Sequence, residues 1–130
     1  MNFLYLILSI IIILVVVNKF NNRGIHYMDI QTAQELIKDS TVTVIDVRTP
    51  QEFAQGHIKG ARLIPVQELG ERMSELASLK ERQILVYCHS GNRSSTASRM
   101  LLKNGFNKII NLQGGIIAWN NVGNKTVKGN

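Results

Sequence analysis

Short β-branched stretches alternating with amphipathic helical ones constrain this chain more than any other feature. Residues 41–47 (Thr-Val-Thr-Val-Ile-Asp-Val) alternate and then turn apolar, the mark of an internal strand. Residues 61–64, 83–87 and 108–112 read as further strands. Between them lie helical signals. Thr32-Ala33-Gln34-Glu35 has the form of a capping box ahead of Leu36 and Ile37, and Thr49-Pro50-Gln51-Glu52 repeats it with proline at the first helical position. Leu69, Met73 and Leu76 space an apolar helical face. Residues 94–104 bury Ala97, Met100 and Leu101 and stop at Gly105, and a last short helix starts at Ile116 after the Gln113-Gly114-Gly115 turn. Successive parallel strands need crossovers of this length, so the pattern predicts an α/β fold: a mainly parallel sheet flanked by helices. In such sheets ligands bind beyond the carboxyl ends of the strands.

A second feature divides the 130 residues in two. Residues 3–17 carry no charge and one strongly polar side chain, Ser9. With Met1, Asn2, Asn18 and the reach of Lys19, the run approaches the roughly 20 residues that span a bilayer. A cleaved signal peptide would want a basic start and a small-residue cleavage site, and neither flanks the run. The expected organisation is a transmembrane signal-anchor helix over residues 1–20, a polar tether over 21–26, one domain over 27–122 and a polar, disordered tail over 123–130. Lys19 and Arg23 follow the run, which predicts a single-pass protein of the cell membrane with its domain on the cytoplasmic side. The net charge of +6, fifteen Lys and Arg against nine Asp and Glu, forms no basic block interleaved with aromatics. Nucleic acid is therefore not an expected partner.

Cys88 is the single cysteine, which excludes an internal disulfide and a Cys-x-x-Cys redox or zinc site. It stands where the strand over residues 83–87 ends and the loop His89-Ser90-Gly91-Asn92-Arg93 begins, with Ser94 opening a helix. A buried core cysteine is one reading. Gly91, Arg93 and the helix start favour the other: a ring of backbone N–H groups, a guanidinium and a helix N-terminus that together stabilise a thiolate. The strand carrying Asp46 would, if parallel, bring Asp46 and Arg48 to the same rim, most simply as a structural ion pair. The Arg93 side chain has two options: facing the sulfur, or pairing outward with a carboxylate. His57 reads as a structural hydrogen-bonding residue, Trp119 as core, and Ser94 and Ser95 as helix caps.

Four stretches in fixed order carry a resemblance: Asp46-Val47-Arg48-Thr49-Pro50-Gln51-Glu52-Phe53, Gly56-His57-Ile58-Lys59-Gly60-Ala61, residues 88–94, and Gly114-Gly115 through Trp119. The domain resembles a single rhodanese domain, a sulfurtransferase fold. That resemblance implies that Cys88 takes a sulfane sulfur from thiosulfate or a persulfide donor and passes it, as a cysteine persulfide, to a thiol or cyanide acceptor. The loop from His89 to Arg93 would cradle the persulfide, and neither metal nor organic cofactor is implied. Phosphatases of the same fold carry one more residue between cysteine and arginine, so the shorter loop points away from phosphoester hydrolysis. A membrane-tethered, non-catalytic binding module is the alternative.

Overall fold

The computed structural model describes residues 2–21 and 24–130. Met1, Asn22 and Arg23 lie outside the described residues, and with them one of the two basic flanks behind the orientation expected above. The first element, α1 (Phe3–Asn21), is exposed from Phe3 to Phe20, and these 18 residues are long and apolar enough to cross a membrane. A signal sequence near an amino terminus has the same properties.

The rest is the expected α/β fold. Its elements are β1 (Ile25–Met28), α2 (Ile30–Leu36), β2 (Thr43–Asp46), α3 (Pro50–Gln55), β3 (Arg62–Leu63), α4 (Val66–Arg72) with a 3-10 continuation (Met73–Leu79), β4 (Ile84–Tyr87), α5 (Asn92–Lys103), β5 (Ile109–Leu112) and α6 (Gly115–Asn121). Among the described residues the strands form one five-stranded sheet, ordered β1-β5-β4-β2-β3, with every pair parallel. Because side chains alternate along a strand, the sheet sorts its core onto two faces. Ile45, Val47, Ile84, Val86 and Ile109 pack on one face with Leu69, Leu76, Ala97 and Leu101. Val44, Leu85, Tyr87, Ile110 and Leu112 pack on the other with Ile30, Ala33, Ile116 and Trp119.

Several local expectations change. Residues 25 and 26, assigned to a tether, belong to β1, and α1 continues through Asn21. The strand escapes sequence reading because it is short, half exposed and at the sheet edge, so it lacks an apolar run. Helix α2 starts earlier than its capping pattern suggests: the Asp29 carboxylate, not Thr32, is the cap, accepting the Thr32 N–H at 2.8 Å. Thr49 and Glu52 form the expected capping box on α3. The 123–130 segment is ordered rather than free. His57 and Val127 exchange backbone hydrogen bonds at 2.9 Å, Gly129 N–H reaches Ala54 O, and the Trp119 indole donates to Lys125 O at 3.1 Å.

Candidate active site

Strand β4 carries Cys88 to the carboxyl rim. Its four residues are fully buried, and alternation sends Ile84, Val86 and Cys88 to the face covered by α5. Beyond Cys88 the chain turns through residues 89–91 and enters α5 at Asn92, two residues earlier than the sequence suggests. Gly91 makes that turn at φ 126°, where a Cβ is strongly disfavoured. The sulfur thus lies under the first turn of a twelve-residue helix.

Two groups meet Cys88 Sγ at hydrogen-bonding distance. The Gly91 N–H donates to it at 3.1 Å, and Ser94 Oγ lies 3.4 Å away. Burial pushes the thiol up, but the Ser94 hydroxyl and the N–H groups of Ser94, Gly91 and Ser90 pull it down more strongly, and the net direction is below the ordinary thiol value. Ser94 is itself held: its hydroxyl lies 2.9 Å from Asn111 Oδ1 and 3.0 Å from Gly91 O, while Asn111 Nδ2 donates to Ser95 Oγ at 3.1 Å. A hydroxyl has one proton and two lone pairs, so it accepts from a thiol and can turn its proton toward a thiolate.

The backbone around the sulfur is fixed from the far side by α6. Ile116 N–H donates to Cys88 O at 2.9 Å and Ile117 N–H to His89 O at 3.2 Å. Gly115 permits this approach, because a Cβ there would sit 2.5 Å from both carbonyl oxygens. With the carbonyls engaged on α6, the loop is left to present its N–H groups to the sulfur.

The Arg93 guanidinium takes the outward option. It grips Glu52 in a bidentate pair, Nη1 to Oε1 at 2.6 Å and Nη2 to Oε2 at 2.9 Å, while its backbone stays in the first turn of α5. Arg93 pulls the Glu52 carboxyl down to about 2. Asp46 and Arg48 form a buried pair with Nη2 to Oδ2 at 2.7 Å, and Arg48 Nη2 also donates to Gly56 O. The pair sits on the face opposite the sulfur, beside Tyr87, whose phenol burial pushes far up and whose oxygen accepts the Ile58 N–H. His57 is buried, its Nδ1 2.8 Å from Phe53 O and its ring stacked on Phe53. His89, Ser90 and Asn92 are exposed, and His89 borders a cavity of about 250 Å³ with Arg48, Glu52, Gln55 and Thr126.

Three contributors were not singled out from sequence for these roles: Asn111, Glu52 as the Arg93 partner, and Gly115 as the close-packing residue. Asn111 left a signal, since a carboxamide inside an otherwise apolar internal strand demands a buried partner.

The chain matches the family model for the rhodanese-like domain over residues 29–122. A sulfurtransferase of Allochromatium vinosum is 42% identical over 87 residues, covering 67% of this chain and 79% of that protein. A putative sulfur carrier protein of Bacillus subtilis is 38% identical over 86 residues, covering 66% of this chain but 45% of that protein. Two further curated relatives are likewise spanned over only 54% and 59% of their length. Among solved structures, a rhodanese-related protein of Thermoplasma volcanium superimposes with a TM-score of 0.72 at 34% identity, covering 80% of this chain and 99% of that one.

Proposed function

The chain belongs to the rhodanese-like domain family, with sulfur transfer as the chemistry its relatives support, and from that premise we propose that Cys88 carries the sulfur as a persulfide. In the first half-reaction the Cys88 thiolate attacks the outer sulfur of a donor, thiosulfate or another persulfide. A new S–S bond forms to Cys88, the donor's own S–S bond breaks, and sulfite or a thiolate leaves with the bonding pair. In the second, a thiol or cyanide acceptor attacks the outer sulfur and the Cys88 thiolate departs, restoring the enzyme.

The observation that carries this reading is the lowered Cys88 thiol with the Gly91 N–H on its sulfur. The N–H groups of residues 89–93 would receive the anionic outer sulfur, with Ser94 oriented by Asn111 and the loop braced by the Glu52–Arg93 pair. Asp46 and Arg48 serve as supports of the rim. A non-catalytic binding module draws on one observation, the 1% exposure of Cys88.

One experiment decides between them. The full chain in detergent is treated with thiosulfate and weighed intact. Sulfur transfer gives one added sulfur atom, removed by cyanide and absent from Cys88→Ser. A native protein that gains no mass is a binding module.

The same reading extends to location. Helix α1 serves as an uncleaved single-pass anchor, joined through residues 22–24 to the domain on the cytoplasmic side. The absence of charge from residues 3–17 and the Lys19 in the last turn of α1 support this.

A further inference from the structure

All strands run parallel, so their beginnings gather at one end of the domain, the base, opposite the rim that carries Cys88. Chain connectivity ties this base to α1. From Asn21 at the end of α1 to Ile25 at the start of β1 the chain takes four steps, at most about 14 Å when extended. Gly24 packs against the Leu102 side chain in the last turn of α5. Ile25 is in register with Ile109, and Ile109 with Ile84, four residues before Cys88. The sulfur therefore stands about 13 Å farther up the strands than the point where the anchor joins.

The base is basic. Lys80 and Arg82 precede β4, Lys103 ends α5, and Lys108 precedes β5; all four are exposed. None forms an ion pair within 4.0 Å among the described residues, whereas Arg48, Arg72 and Arg93 on the rest of the domain do. The loops that hold them are packed together. The Lys80 ammonium lies 5.9 Å from the Phe106 ring centroid, and Asn107 Nδ2 donates to Glu81 Oε2 at 3.3 Å. Glu81 is the carboxylate within this group, and Asp39 lies across the base, turned onto Thr41. A cavity of about 330 Å³ opens in the same surface, bordered by Gly24, His26, Gln83 and Lys108.

We propose that this base is a docking surface for anionic phospholipid headgroups. Lys80, Arg82, Lys103 and Lys108 lie against the charged surface, and a headgroup phosphate enters the cavity between His26 and Lys108. The domain then stands on the bilayer with its Cys88 rim turned to the aqueous side, so the sulfur is exchanged with water-soluble donors and acceptors. This rests on α1 spanning the membrane. A tethered basic surface gains from every headgroup it meets within a Debye length, and four cations beside an anchor are enough to orient a small domain.

The test places the full chain in nanodiscs of phosphatidylcholine alone or with about one-third phosphatidylglycerol, and reads lysine acetylation site by site by mass spectrometry. Lys80, Lys103 and Lys108 slow at least about threefold in the anionic discs, and lose that protection near 1 M salt, where the Debye length falls to about 3 Å. Lys125, next to Thr126 at the rim cavity, keeps its rate. In a Lys103→Glu/Lys108→Glu variant that still takes up sulfur at Cys88, the protection of Lys80 disappears. Equal rates in both discs overturn the proposal, as does equal protection in phosphatidylcholine discs supplied with free glycerol phosphate, which would mark a site for a soluble anion. A chain that fails to enter either disc overturns the anchor as well; a chain that enters without lipid dependence overturns only the docking surface.

Discussion

At the scale of single residues, the decisive balance is between burial and hydrogen bonding at one sulfur. Burial alone raises the Cys88 thiol, and the Ser94 hydroxyl together with three N–H groups reverses the sign. Removing the hydroxyl in Ser94→Ala takes away the first of the lowering contributions, so the thiol moves up and the thiolate fraction near neutrality falls. The rate of iodoacetamide alkylation against pH measures this. The wild-type midpoint lies below that of an ordinary thiol, and the Ser94→Ala midpoint lies above the wild type, with slower alkylation at neutral pH. Asn111→Ala moves the midpoint the same way by a smaller amount, since Ser94 keeps its contact with Gly91 O but loses its anchor on β5. An unchanged midpoint in both variants would mean that the backbone N–H groups alone set the thiol. Cys88 was legible in the sequence because strand, glycine and helix start adjoin it in the chain. The Ser94–Asn111 contact was not, because the two are 17 positions apart and only the packing of α5 against β5 brings them together.

Among elements, the helix starts hold the loop. Glu52 closes the α3 capping box through Thr49 and, with the same carboxylate, grips Arg93 in the first turn of α5. Its pKa is depressed when folded, from 4.5 to about 2, so its contribution is fully present above the ordinary value and is lost as the pH falls through about 2. Glu52→Gln is therefore less stable than wild type by about 1–2 kcal/mol at pH 7, a figure reduced for partial solvent screening. Urea midpoints of the two proteins converge as the pH approaches 2. A gap that persists unchanged into acid would assign the cost to packing instead. Gly115→Ala tests the other brace. A Cβ placed 2.5 Å from the Cys88 and His89 carbonyls cannot fit without moving α6 off the loop, at a cost of about 2 kcal/mol or more. Loss of thiosulfate-dependent sulfur loading should accompany the fall in melting temperature. Helix starts and internal strands were legible where the signal was local. Strand β1 and the ordered 123–130 segment were not, because each owes its place to tertiary pairing: β1 to the edge of β5, and Val127 to His57.

For the molecule as a whole, the proposed anchor makes a definite prediction about which side of a membrane Cys88 faces. A thiol that must stay reduced between turnovers is kept so in the cytoplasm, whereas an oxidising compartment would consume it. Cys88 is too buried to report its own side to a bulky reagent, being 1% exposed. Exposed positions at either end serve better: Asn2, ahead of α1, and Asn130, at the far end of the domain. In a Cys88→Ser background, Asn130→Cys should resist a membrane-impermeant maleimide on intact cells and react once the cells are opened, while Asn2→Cys should react at once. The opposite pattern would put the domain outside. Reaction of Asn130→Cys on intact cells, with the chain recovered in the soluble fraction and shortened by the loss of α1 and of the Asn2→Cys label, would identify α1 as a cleaved signal sequence. Lys19 is the charge on which the proposed pattern turns, since it lies in the last turn of α1 and positive flanks of single-pass chains favour the cytoplasmic side. Replacing Lys19 and Arg23 with glutamine and adding lysines ahead of Phe3 should therefore weaken or invert the labelling difference. A pattern indifferent to those charges would show that folding of the domain, rather than the flanks of the helix, fixes its side.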